Sequence, residues 1–207
     1  MADKIRILVV DDHPMLREGV VAIVSSEPDM HVVGEASSGL EGIELFRQLG
    51  PDVTLMDLQM PGMDGVEAIE RLRAEAPNAR FLVLTTFAGD TQALRALRAG
   101  AAGYLLKSGL RRELIDAIRA VHSGCRAVAP AVAQEIALHA AEEPLSDREV
   151  AVLIEVANGR ANKEIARALS ITEDTVKSHL KSIYAKLGVD DRAHAVTVAN
   201  RRGIISI

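Results

Sequence analysis

Four short apolar runs among the first 107 residues of this chain each end in a group able to bind a cation or a phosphate. KIRILVV runs into Asp11 and Asp12, VTLM into Asp57, FLVL into Thr85 and Thr86, and GYLL into Lys107. Apolar runs this short read as strands buried on both faces. With a further run at His31–Ala36, the strands are expected at Ile5–Val10, Val53–Met56, Phe81–Thr85 and Gly103–Leu106. Helical spacing fills the gaps, for example at Met15–Ser25, Leu40–Leu49 and Val66–Ala74, with Ser37 or Ser38 and Asp90 or Thr91 as caps. Regular alternation of strand and helix predicts an α/β doubly wound, parallel five-stranded domain over residues 1–122. Ligands in such sheets bind beyond the carboxyl ends of the strands, where the strand order reverses. The order 2-1-3-4-5 sets the first and third strands side by side and brings Asp11, Asp12 and Asp57 together. Three carboxylates repel one another unless a cation joins them, and an all-oxygen set suits a hard ion such as Mg²⁺.

The remaining groups complete a chemistry. A metal, a hydroxyl and an ammonium beside a carboxylate make a site that can accept a phosphoryl group. The ordered set, with the turn MPGMDG after Asp57, resembles the flavodoxin-like receiver domain of two-component response regulators. That resemblance implies that Asp57 is phosphorylated by a sensor histidine kinase. It implies Asp11, Asp12 and Asp57 as Mg²⁺ ligands, with the backbone carbonyl of Gln59. Thr85 and Lys107 would bind the phosphoryl oxygens, with Thr86 a neighbouring hydroxyl, and Tyr104 would be the aromatic switch. His13 is expected to be solvated, since Mg²⁺ prefers oxygen.

Charge divides the chain. Residues 1–122 carry 13 basic and 18 acidic groups, whereas residues 145–207 carry 10 and 8. An acidic front and a mildly basic tail fit a metal-binding domain joined to a nucleic-acid-binding one. Cys125 is the single cysteine, so no internal disulfide can form, in keeping with a cytoplasmic protein. No apolar run approaches the length of a membrane span. Residues 123–144 contain Pro130 and Pro144 around a short helical pattern and read as a linker.

Residues 145–207 are helical throughout, with helices expected at Asp147–Ala157, Lys163–Leu169, Glu173–Leu187 and Arg192–Arg201. Ser146 and Glu149 have the spacing of a capping box, and Gly159 and Gly188 sit where helices should end. Ile165, Ala166, Leu169, Ile171, Val176 and Leu180 have helix-turn-helix spacing. Lys177, Ser178 and Lys181 share the polar face of the second helix, within reach of one groove of DNA. This stretch resembles the small all-α, four-helix DNA-binding domain of the LuxR/NarL type. The resemblance implies that Lys177, Ser178 and Lys181 face bases of double-stranded promoter DNA. Asn162, Lys163, Thr172 and Thr175 would contact phosphates. Ala193, Val196 and Val198 on the last helix would pair with a second subunit, and RNA polymerase is a possible further partner. The bland alternative for Lys177 and Lys181 is a solvated face; for Val196 and Val198 it is packing within the domain.

Together the two domains resemble a NarL/FixJ-type response regulator: a transcription factor, not an enzyme, switched by phosphorylation and dimeric when active. A rival is an aspartyl phosphatase of the haloacid-dehalogenase kind. Such enzymes carry a second Asp two residues after the nucleophile, where this chain has Gln59. A receiver used only for dimerisation would have no need of the full acidic set.

Overall fold

The computed structural model describes residues 4–86, 89–140 and 142–205, with residue 111 described by its backbone alone. The outermost residues of both expected domains, 1–3 and 206–207, lie outside the described residues. The chain forms two compact units.

The first unit is built on a parallel sheet in the order β2-β1-β3-β4-β5-β6. Its strands are β1 (Ile5–Val10), β2 (Met30–Ala36), β3 (Val53–Asp57), β4 (Phe81–Thr85), β5 (Gly103–Leu106) and β6 (Ala127–Val128). The helices are α1 (Pro14–Ser25), α2 (Gly39–Leu49), α3 (Gly65–Glu75), α4 (Asp90–Ala99) and α5 (Leu110–His122). Every residue of β3 and β4 is buried, which is why their sequences are continuous apolar runs and not alternating ones. Ile7, Leu8, Leu55, Leu82 and Leu84 fill the interior together with the rings of Phe81 and Tyr104. Phe46 and Phe81 do stack, with centroids 6.0 Å apart.

Caps set the helix starts. Of the two serines expected to begin α2, Ser38 does so, accepting from the Glu41 amide at 3.3 Å. Asp64 accepts from the Glu67 amide at 2.7 Å and starts α3. Asp90 and Thr91, the residues expected to cap α4, both lie inside its first turn.

The sheet has one strand more than the five expected. Residues Ala127 and Val128, in the stretch read as linker, pair in parallel with Gly103 and Tyr104 of β5. Two residues are too few for a periodicity signal. The pairing rests on backbone bonds, Ala127 N–H to Ala102 O at 3.1 Å and Ala129 N–H to Tyr104 O at 2.9 Å. Gly103 makes the approach possible: a Cβ there would lie 2.6 Å from the Ala127 carbonyl oxygen. Helix α6 (Pro130–His139) follows, as the spacing of Val132 and Ile136 predicts.

The second unit contains α7 (Asp147–Ala157), α8 (Asn162–Ala168), α9 (Glu173–Leu187) and α10 (Arg192–Arg201). Its core gathers Val152, Leu153, Ile165, Val176, Leu180, Ile183 and Ala195. The capping box at Ser146 and Glu149 is formed in both directions. Between α8 and α9 the chain turns through Ser170 at φ 56°, a left-handed conformation uncommon for a residue other than glycine. Thr172 then caps α9, accepting from the Thr175 amide at 3.1 Å. Among the described residues no helix is long and apolar enough to cross a membrane.

Candidate phosphoacceptor site and DNA-facing helix

Strand register decides the first site. Val10 pairs with Met56, Asp57 with Leu84, and Thr85 with Leu106. The carboxyl ends of β1, β3, β4 and β5 therefore lie in one row, and Asp11, Asp57, Thr85 and Lys107 emerge together. The Lys107 amide donates to the Thr85 carbonyl at 2.7 Å, closing the row at β5.

Asp11 and Asp57 are 2% and 3% exposed, a desolvated pair of like charges. The Lys107 ammonium stands 2.7 Å from Asp57 Oδ2 and 2.8 Å from Asp11 Oδ2. Only its contact with Asp57 has the direction of a hydrogen bond; that with Asp11 is an ion pair. Burial pushes the Asp57 carboxyl above its ordinary range, against the pull of Lys107, while the charge of Asp11 adds to the rise. The Gln59 amide donates to Asp57 Oδ1 at 3.3 Å.

These residues fit a divalent cation. One ligand atom from each of Asp11, Asp12, His13 and Asp57 lies within 4.8 Å of the others. Among the described residues Asp12 Oδ1 is buried with no directed hydrogen bond, and Asp11 Oδ2 has only the Lys107 ammonium at 2.8 Å. Buried carboxylate oxygens left so are costly unless a positive charge satisfies them. An oxygen-rich set suits Mg²⁺.

Thr85 and Tyr104 are fully buried, and their side chains are hydrogen-bonded to each other. Burial raises the Tyr104 phenol well above its ordinary range, so it stays protonated. The ring lies in the interior, beside β4.

Two residues that hold the site escaped sequence reasoning. Arg17 on α1 donates from Nη1 to the Asp11 carbonyl at 2.7 Å, and its Nε lies 3.4 Å from Glu35. It ties the β1–α1 turn to β2. A basic residue one turn into the first helix was the available signal. Gly65 begins α3 so close to β3 that a Cβ would lie 2.0 Å from the Asp57 carbonyl oxygen. The turn MPGMDG was legible as a motif, but not its reason.

On the second unit, Lys177, Ser178 and Lys181 are exposed along α9. Lys177 pairs with Asp174 at 3.0 Å, a fully solvated contact that a stronger anion can displace. Thr172 and Lys163 are exposed, and Thr175 is half-buried. The Asn162 side-chain oxygen accepts from Arg192 at 3.3 Å. His179 is half-buried between the two lysines, in keeping with a structural role. A groove of about 370 Å³ runs beside the helix, lined by Lys177, Leu180, Lys181, Tyr184, Val189 and Asp190. On α10, Ala195 and Ala199 are buried, and Val196 and Val198 pack partly against the domain's own core. Ala193 is exposed.

Comparison with known proteins identifies both domains. Residues 7–119 match the response regulator receiver domain, and residues 143–199 match the luxR family of bacterial regulatory proteins. The chain belongs to the NarL/FixJ family of response regulators. The regulator is 41% identical to the transcriptional regulatory protein LiaR of Bacillus subtilis, over 98% of this chain and all of that one. It is 40% identical to the solved response regulator ChrA of a heme-sensing two-component system, with a TM-score of 0.59 over 98% of this chain and 99% of that one. A solved complex of the response regulator RcsB with DNA has a TM-score of 0.73 at 26% identity, covering 96% of this chain and 99% of that one. The protein is thus a response regulator with a LuxR-type DNA-binding domain.

Proposed function

We propose that Asp57 is the phosphoacceptor, that a sensor histidine kinase supplies the phosphoryl group, and that the modified protein regulates transcription from the cytoplasm. The carrying observation is the Lys107 ammonium between the buried carboxylates of Asp57 and Asp11. A cation so placed offsets part of the site's negative charge at rest and can turn to phosphoryl oxygens once Asp57 is phosphorylated. Asp57 attacks phosphorus in line, and the bond to the donor's imidazole nitrogen breaks as the new P–O bond forms. Lys107 and the Thr85 hydroxyl meet the equatorial oxygens, where charge spreads in such transfers. Asp11, Asp12, Asp57 and the Gln59 carbonyl would hold Mg²⁺, which supplies further positive charge at those oxygens when bound.

The switch follows from the Thr85–Tyr104 contact. A phosphoryl group that draws on the Thr85 hydroxyl competes with Tyr104 for it, biasing an element with two positions. At the other site, Lys177, Ser178 and Lys181 would read bases. Asn162, Lys163, Thr172 and Thr175 would fix the domain on phosphates. RcsB, a relative solved with DNA, supports that role. Ala193, with the outer edges of Val196 and Val198, would form a dimer contact. Partial burial of both valines in their own domain makes that face small. RNA polymerase is a further candidate partner.

The deciding experiment is incubation with acetyl phosphate and Mg²⁺ followed by intact-mass measurement. One added phosphoryl group is expected on the parent chain and none on Asp57→Asn. Uptake by that variant would remove Asp57 from the role. Selection of genomic fragments with and without beryllofluoride then tests the output. Enrichment of a dyad-symmetric site is expected, stronger with the mimic, and lost in Lys181→Ala.

A further inference from the structure

Arg192 ties the start of α10 to the start of α8. It is the first residue of α10, and the cap before it fixes its place: Asp191 accepts from the His194 amide at 2.8 Å. Its half-buried side chain reaches across 30 residues of sequence. Nη1 donates to Asn162 Oδ1 at 3.3 Å, and Nη2 donates to the Arg160 carbonyl. The chain around those two acceptors is held as well. Arg160 Nη1 pairs with Glu155 at 2.6 Å, and the Ala161 amide donates to Glu164 at 2.7 Å. A guanidinium offers donors only, so it can face the oxygen of the Asn162 amide and never its nitrogen. The torsion that turns an asparagine amide is soft, and its two ends have nearly the same shape. With Arg192 on the oxygen, the NH₂ end is left to donate elsewhere.

We propose that Arg192 is a positioning residue for DNA binding, which locks the Asn162 amide so that its NH₂ group donates to a DNA phosphate. The proposal rests on the reading of Asn162 as a phosphate contact. An amide turned the other way would set its oxygen against phosphate oxygens, acceptor against acceptor. The planar fork of an arginine holds two acceptors in one fixed geometry; the single head of a lysine does not. Arg192→Lys therefore keeps the charge and loses the lock. Phosphates carry no sequence information, so the effect belongs to any duplex and not to one site.

The test measures binding of the full chain to a fluorescent duplex of about 30 base pairs and arbitrary sequence, at about 50 mM salt. Parent, Asn162→Ala, Arg192→Lys and the double variant are compared. Each single change is expected to weaken binding about fivefold or more. In the Asn162→Ala background, Arg192→Lys should cost at most about twofold, because the amide it positions is gone. A merely structural role would add its loss to that of Asn162→Ala, and losses that multiply to about 25-fold overturn the proposal. Parent affinity in Arg192→Lys beside a weakened Asn162→Ala also overturns it and leaves the phosphate reading standing. Parent affinity in Asn162→Ala overturns that reading and the proposal with it. Should Arg192→Lys fail to fold, the parent alone decides. Adding the duplex to ¹⁵N-labelled protein should shift the Asn162 side-chain amide resonances more than the Arg192 Nε–H, and the reverse order overturns the proposal.

Discussion

Lys107 holds Asp57 at 2.7 Å across 50 residues of sequence, with both side chains almost entirely buried. The ammonium also faces Asp11, so one cation offsets two desolvated carboxylates. Removing one partner of a buried pair leaves the other charge uncompensated and costs about 3–5 kcal/mol. Lys107→Met is therefore expected to lower stability by roughly 3 kcal/mol at pH 7 in urea titrations. Mg²⁺ should recover more stability in this variant than in the parent, because the ion takes the place of the lost charge. An unchanged urea midpoint, or no difference in the Mg²⁺ effect, would show that the pair matters little at rest.

The close approach of α3 to β3 predicts a contrast between two glycines. A Cβ on Gly65 would meet the backbone of Asp57 at 2.0 Å, and backbone cannot give way as a side chain can. Gly65→Ala should displace the end of β3, weaken Mg²⁺ binding at least tenfold, and destabilise the domain by about 2 kcal/mol or more. Gly19 lies exposed inside α1 with nothing within 4 Å of its added Cβ. Gly19→Ala should stabilise by about 0.5–1 kcal/mol and leave metal binding unchanged. Thermal melts and metal titrations of the two variants check both signs.

What the sequence made legible follows from what kind of signal each feature leaves. Asp11, Asp57, Thr85 and Lys107 were readable because each ends an apolar run, and a parallel sheet converts strand ends into one row. The helices of the second unit were readable from spacing and from chemistry such as the Ser146–Glu149 box. β6 was not, since Ala127–Val128 is held by backbone bonds that any residue with an amide could make. Arg17 acts on a carbonyl, and Gly65 through the absence of a side chain, so neither leaves a pattern of residue types. Val196 and Val198 were ambiguous for a different reason. A short helix has one apolar stripe, and periodicity does not say whether its own domain or a second subunit covers it.

Thr54 offers a stabilising change. Its hydroxyl is fully buried in β3 and has no hydrogen-bond partner among the described residues, a cost of about 1–3 kcal/mol that folding bears. Valine has nearly the same shape and strong preference for strands. Thr54→Val is expected to raise stability by about 1 kcal/mol, read as a shift of the urea midpoint with unchanged slope. Loss of stability would reveal that the hydroxyl has a partner, most simply an ordered water.

Glu149 makes the second unit sensitive to acid. Its carboxylate is buried, which works against the charged form. Hydrogen bonds from Ser182 at 2.6 Å and the Ser146 amide at 2.7 Å, with Lys186 at 3.1 Å, outweigh that burial. They hold its pKa down to about 2. Because the folded value lies below the unfolded one, the contribution is complete above about pH 4.5 and fades as pH falls toward 2. The network joins the start of α7 to Ser182 and Lys186 of α9, so its loss should loosen α9 in particular. Glu149→Gln is expected to cost about 2 kcal/mol at pH 7 and much less near pH 2, with faster amide exchange in α9 and weaker DNA binding. A loss of stability equal at both pH values would mean that the side chain matters for its shape and not for its charge.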